Sequence, residues 1–328
     1  MQGKPFAIIM AAVFATLVMA ACAPGAAPAP AAAPATAVPA PVKPAAPPPA
    51  QTAVPEQRGK LVIAVGSLGE EIWIPHRYNI VMDPILFSVY DQPISVNFQT
   101  LAYTKEGVFE AWEVTPDLKT WTFHKRKGIQ FHEGWGELTA DDIKFMTSTM
   151  YRPDTSAANA TRVKDFVGKT LEEMNKNMEV VDPYTLIVRS PAPQPLREYY
   201  WSNLGSTSNL ISKKYVEAVG IDKASKRPIG TGPYRFVELS PGVIRLEALP
   251  KHWRKTAAFK ELEVRVMPDK STQIAALASG QADIAEMSAE DVPSLKATGV
   301  RTIGNPQAYV SWLNMRGQWD TSRPTYDP

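Results

Sequence analysis

Between Ala23 and Pro55 the chain is almost entirely alanine and proline, broken by an occasional Val, Thr or Lys. Such a segment has nothing to bury and cannot form a core. Its prolines favour extended polyproline chain at about 3.1 Å per residue, so it can reach roughly 100 Å. Folding can therefore begin only beyond it, and at Gly59 the pattern changes at once to alternating and periodic apolar residues. Of the 328 residues, 45% are hydrophobic and 21% charged, enough for one large domain or two smaller ones after that boundary. The formal net charge of +2 is small and the two signs are interleaved, which excludes the basic footprint of a nucleic-acid or membrane-surface binder. Cys22 is the only cysteine, so the chain can build neither an internal disulfide nor a thiolate metal cluster.

Residues 1–21 read as a signal peptide: Lys4, an apolar run from Phe6 to Met19, then Ala20-Ala21. The run is shorter than the about 20 residues of a spanning helix. Ala20-Ala21-Cys22 resembles the lipobox of bacterial lipoproteins, in which the cysteine is acylated and becomes the first mature residue. The expectation is an extracytoplasmic protein, lipid-anchored to a membrane through Cys22, with residues 22–58 as a disordered tether.

Leu61 to Val65 reads as a buried strand stopped by Gly66. Thr115-Pro-Asp-Leu-Lys119 reads as the turn of a hairpin between a strand at Trp112 and another from Thr120 to His124. Thr139 caps a helix from Ala140, with Asp141 and Asp142 suited to its positive first turn. Asp182-Pro-Tyr feeds a strand ending at Arg189, and Pro241-Gly242 turns a hairpin of Tyr234 to Glu238 with Val243 to Glu247. Further on, a strand from Leu262 to Val266, a helix from Thr272 to Ala278 stopped by Gly280, and a strand from Ala282 to Ala285 form a strand, helix, strand unit. A repeat of that style follows: a helix from Ser288 to Lys296, then strands at Val300 to Ile303 and Ala308 to Asn314. Hairpins first and helix-alternating strands later predict a mixed α/β fold with more than one lobe.

No enzyme signature survives inspection. His76, His124, His132 and His252 form no pair at metal-ligand spacing, and His132-Glu133 lacks the second histidine of a zinc helix. Gly230-Thr-Gly232-Pro lacks the third glycine of a phosphate loop, and Pro233 removes a backbone donor. A Gly-x-Ser-x-Gly elbow is missing. Neither catalytic residue, metal nor cofactor is expected. The aromatic residues Trp73, Tyr90, Tyr199, Tyr200, Trp201 and Tyr234 lie in or beside loops, where they suit either a binding cleft or the packing of a core.

Tyr90-Asp91, Trp112 to Asp117, Trp121 to Gly134 and Leu138 to Phe145 resemble, in order and spacing, family 5 of the bacterial extracellular solute-binding proteins, the peptide- and nickel-binding type. Pro228 to Phe236, His252-Trp253, Val266 to Asp269, Ser271-Thr272, Ala275 to Leu277 and Ser279 to Ile284 resemble that family's central block. Trp135-Gly-Glu137 departs from it, replacing a short turn. The resemblance implies a class II, two-lobe periplasmic-binding-protein-like α/β fold with mixed sheets, its first lobe spanning 59–280 and its second, truncated, beginning at 281–328. It implies the substrate-binding component of an ABC import system: a monomer that captures a peptide or similar small molecule and delivers it to permease subunits, with no nucleic-acid partner. Nickel chelates and oligosaccharides are alternative ligands on the same scaffold; a surface lipoprotein hydrolase and a scaffolding lipoprotein are the rivals from other classes. The residues expected against ligand are Gly66, Ser67, Trp73, Tyr90, Trp201, Gly232 and Tyr234.

Overall fold

The computed structural model describes residues 56–303, apart from 78–82, 98–99, 158–159, 196–197, 199–200, 203–207 and 297–298. Cys22, the tether as far as Pro55, Tyr199, Tyr200 and the strand expected at Ala308 to Asn314 lie outside the described residues; the last tether residues join the fold, since Gln57 Nε2 donates to Leu249 O at 3.0 Å and Arg58 pairs with Phe259. In chain order the elements are β1 (Arg58–Val65), α1 (Asp83–Val89), β2 (Ser95–Asn97), β3 (Ala102–Thr104), β4 (Phe109–Val114), β5 (Thr120–Lys125), α2 (Ala140–Ser148), α3 (Ala160–Val167), α4 (Leu171–Asn177), β6 (Met178–Asp182), β7 (Thr185–Arg189), α5 (Lys213–Val219), α6 (Ile221–Lys226), β8 (Tyr234–Ser240), β9 (Val243–Ala248), β10 (Phe259–Val266), α7 (Lys270–Ser279), β11 (Ile284–Ala285) and α8 (Val292–Lys296).

A five-stranded sheet runs β11-β1-β10-β9-β8, with β1 parallel to both its neighbours and the β10-β9-β8 meander antiparallel. The unbroken apolar run of β1 follows from cover on both faces. Leu61, Ile63 and Val65 pack on the main core, whereas Val62 and Ala64 join Met267, Ala276 and Ala282 beneath α7. The second sheet, β4-β5-β7-β6, is wholly antiparallel and is inserted in the chain between β1 and β8. Its core-facing residues, including Phe109, Trp121, Phe123, Leu186 and Val188, are continuous with the main core. The two chain segments that cross between the sheets are hydrogen-bonded to each other: Ile94 N–H donates to Trp201 O at 2.9 Å and Leu210 N–H to Asp91 O at 3.3 Å.

Local chemistry explains the boundaries. In the β4–β5 turn the Asp117 carboxylate accepts from Thr115 Oγ1 at 2.6 Å and Lys119 N–H at 3.0 Å, while Leu118 takes the left-handed conformation. At the start of α2, Asp142 Oδ2 accepts from Thr139 N–H at 2.8 Å and Thr139 Oγ1 at 2.9 Å. Its other oxygen accepts from Lys213 N–H at 2.8 Å, so one buried carboxylate serves the first turns of α2 and α5. Burial raises its pKa, opposed by those hydrogen bonds. Asp141 and Asp142 thus differ, the first exposed and the second a tertiary link.

Two expected strands change. Of Ala282 to Ala285 only Ile284–Ala285 pairs, beside β1, because Ala282 turns into the small core under α7. Val300 to Ile303 is not a strand: among the described residues no strand lies beside it, and Ile303 is 81% exposed. A lone strand leaves its backbone groups without ladder partners, so an apolar run cannot hold the conformation alone.

The Trp135-Gly-Glu137 segment has two tertiary tasks. The Trp135 ring meets Tyr215 of α5 edge-on at 4.9 Å. Glu137 Oε1 accepts from Gly128 N–H at 2.6 Å and lies 3.4 Å from Lys125 Nζ, whose side chain is only 1% exposed. Burial lowers the Lys125 pKa, and Glu137 opposes the shift. Glu137→Ala should therefore lose about 2–3 kcal/mol in urea unfolding by stranding a buried ammonium. Adding Lys125→Met to that variant should restore most of it, since a buried pair is replaceable by apolar volume; no restoration would refute the pairing.

Candidate functional site

β11, β1 and β10 run the same way, so their carboxyl ends, Ala285, Val65 and Val266, form one edge of the sheet. In open α/β sheets a crevice at that edge is where ligands bind. The loops leaving it are braced by backbone and side chains. Met267 N–H donates to Val65 O at 2.8 Å, tying the end of β10 to the end of β1. Buried Gln273 donates to Met267 O at 2.5 Å, and Lys270 Nζ donates to Glu286 O, binding the start of α7 to the segment after β11. Gly66 and Ser67 stand exposed at this edge. Ser67 Oγ accepts from Gly69 N–H at 3.0 Å, which leaves the hydroxyl proton for an outside acceptor.

The other residues expected against ligand are buried. Trp73, Tyr90, Trp201 and Tyr234 are 0%, 3%, 4% and 8% exposed. The Trp73 ring packs on Phe236 at 5.6 Å, Trp201 lies against Phe109 and Phe123 at 5.6 and 4.8 Å, and the Tyr234 hydroxyl donates to Phe259 O at 3.2 Å. These rings are occupied in packing, the second of the two uses their loop positions allowed. Tyr90 does reach the edge loop: its hydroxyl, pushed up in pKa by burial, donates to Trp73 O at 2.9 Å. Gly232 is also buried; its N–H donates to Val89 O at 2.8 Å, and an added Cβ would lie 2.6 Å from Ser88 O.

Beside Tyr90 is a polar centre made from three separated pieces of sequence. Asp91, with its side chain 1% exposed, accepts from Thr231 Oγ1 at 3.0 Å, Trp253 Nε1 at 2.7 Å and Arg254 Nη2 at 2.9 Å, and lies 3.3 Å from His252 Nε2. His252 Nδ1 faces the N–H groups of Arg254 and Lys255 at 3.4 and 3.3 Å, which makes Nε2 the donor, shared with Thr231 O at 2.9 Å. Burial alone would raise the Asp91 pKa; the hydrogen bonds from His252 and Trp253 and the charge of Arg254 hold it below the ordinary value. His132 completes the arrangement, its Nε2 2.9 Å from Gly232 O and its own pKa lowered by burial. With its side-chain donors on Asp91, Thr231 O and Gly232 O, and with His252 Nδ1 facing two backbone N–H groups, this centre fixes the backbone of three separated segments.

In the sequence Tyr90-Asp91 and His252-Trp253 are separate motif pieces with nothing local to join them. Their convergence with Thr231 across 140 and 161 positions is a tertiary fact. Among the described residues no group of His, Cys, Asp and Glu could hold a metal ion, and no helix is long and apolar enough to cross a membrane.

The sequence model of the bacterial extracellular solute-binding proteins, family 5 Middle, matches residues 104–327. The chain belongs to that family. It is 28% identical over 194 residues to the dipeptide-binding protein of Escherichia coli (strain K12), a match covering 54% of this chain and 35% of that protein. The ABC transporter-associated periplasmic binding protein DppA from Helicobacter pylori, solved in complex with peptide STSA, superposes with a TM-score of 0.63 at 23% identity, covering 74% of this chain and 49% of that one. NikZ from Campylobacter jejuni in complex with Ni(L-His) gives 0.59 at 19% identity, covering 72% and 45%. The fold of this family 5 chain is therefore that of the class II periplasmic binding proteins, and the chain spans between about a third and a half of the length of these relatives, which are solute-binding proteins.

Proposed function

We propose that this family 5 chain is the substrate-binding component of an ABC import system, capturing peptides or similar small solutes outside the cytoplasmic membrane and handing them to permease subunits. The carrying observation is the exposed Gly66-Ser67 loop at the carboxyl edge of β11-β1-β10, on a scaffold whose relatives include a dipeptide-binding protein and a peptide complex. In this reading residues 59–280 form the first lobe and 281–328 begin the second, a monomer closes on solute like a hinge, and the solute leaves chemically unchanged. Acylated Cys22 and the Ala/Pro tether hold the protein near the permease and raise its effective concentration there. Gly66 and Ser67 meet the solute, and the buried Trp73, Trp201, Gly232 and Tyr234 support the lobe behind them.

Calorimetric titration of the full-length gene product with di- to pentapeptides is expected to release or absorb heat with one-to-one stoichiometry. The absence of heat with every peptide, nickel complex and sugar tried would end the proposal. Binding of a nickel–histidine complex and of no peptide would favour the second reading, which the Ni(L-His) complex of NikZ supports.

A further inference from the structure

The loop from Gly66 to Trp73 is held in an unusual shape from beneath. Glu71, not a glycine, has φ of 54°, a left-handed conformation that costs an L-residue about 1 kcal/mol and persists only where neighbours impose it. Three donors impose it through four bonds. Trp73 N–H donates to Ser225 O at 2.7 Å, the Tyr90 hydroxyl donates to Trp73 O at 2.9 Å, and Lys226 Nζ reaches the carbonyls of Glu71 at 3.1 Å and Glu70 at 3.5 Å. Tyr90 is itself closely packed: an added Cβ on Gly230 would lie 2.7 Å from its ring, and the next residue is the buried Asp91. The Arg77 and Glu70 side chains pair across the same loop at 2.5 Å.

We propose that Tyr90 and Lys226 are positioning residues, which touch no solute and fix the backbone of the Gly66–Trp73 loop in the one shape a solute meets. The proposal rests on the binding function inferred above. It gives Tyr90, expected from its loop position to face ligand, a role exercised through Trp73 O, and it brings in Lys226, which no motif marked.

The test uses the full-length gene product with Tyr90→Phe, Lys226→Met and Lys226→Arg, read by amide hydrogen exchange and by binding of tetra-alanine. Loss of the buried hydroxyl should raise exchange at residues 67–72 about fivefold to tenfold and weaken tetra-alanine by a similar factor. Exchange in β4 and β5 should stay unchanged, which separates local positioning from general destabilisation. Lys226→Met should act in the same direction by about twofold, and Lys226→Arg should return it to the parent value, because guanidinium can still donate to both carbonyls. Unchanged exchange at 67–72 in Tyr90→Phe, or faster exchange there with unaltered affinity, would overturn the proposal. If the parent protein binds no tetra-alanine, the choice of ligand falls, and the exchange measurement alone decides whether the two residues hold the loop.

Discussion

Replacing Asp91 with alanine is expected to cost about 3–5 kcal/mol of stability, a large part of what a domain of this size possesses. The side chain is 1% exposed and receives Thr231, Trp253 and Arg254 at 2.7–3.0 Å, with His252 at 3.3 Å. Removing it leaves these donors facing a void, and Arg254 loses its counter-charge. Asp91→Asn keeps the shape but turns an amide N–H₂ toward groups that also donate, so it should retain only part of the loss-free state. Urea unfolding of both variants checks this; a cost below about 1 kcal/mol for the alanine would mean that water replaces the carboxylate freely. The pH dependence has a definite sign. The folded-state pKa lies below the ordinary aspartate value of 3.8, so the stabilisation is fully present above that value and is lost as pH falls through the depressed one. The stability gap between parent and Asp91→Asn should hold level from neutral pH to about 5 and shrink below about 4.

Gly230→Ala is expected to be equally severe for a steric reason. A Cβ at Gly230 would sit 2.1 Å from Val89 O and 2.7 Å from Tyr90 Cδ1, neither of which can yield without moving α1. Overpacking against fixed backbone costs about 3 kcal/mol or more, enough to move the thermal midpoint by several degrees or abolish folding. Gly66→Ala provides the contrast. Nothing lies within 4 Å of its Cβ position, so stability should change by less than about 0.5 kcal/mol while solute affinity, if that loop meets the solute, falls. Equal losses from the two alanines would refute the close-approach account, and circular-dichroism melts are sufficient to distinguish them.

Much of the fold was readable because its signals are local. The β4–β5 turn follows from Asp117 bonding its own backbone, and the end of α7 from Gly280 at φ of 73°, events within a few residues of sequence. The helices α1, α3, α4, α5 and α6 are not legible in the sequence, although Thr170 caps α4 by accepting from Glu173 N–H at 3.1 Å and Ser212 caps α5 by accepting from Tyr215 N–H at 3.2 Å. Each is only six to eight residues long, too short for apolar periodicity to stand out. The candidate site was harder still, because an aromatic residue in a loop reads the same whether it faces a cleft or the interior. For Trp73 and Trp201 burial decided, and burial is not written in the neighbouring residues.

By itself, then, the sequence determined the β4–β5 and β8–β9 hairpins, the cap of α2, the end of α7 and the family, since each depends on short-range hydrogen bonding or on motifs in order. Only the tertiary structure decided that Asp91 gathers Thr231, His252, Trp253 and Arg254, that Glu137 answers Lys125, and that Val300 to Ile303 has no partner strand among the described residues. Those outcomes depend on which distant groups exclude water from one another, and desolvation is a property of the packed chain.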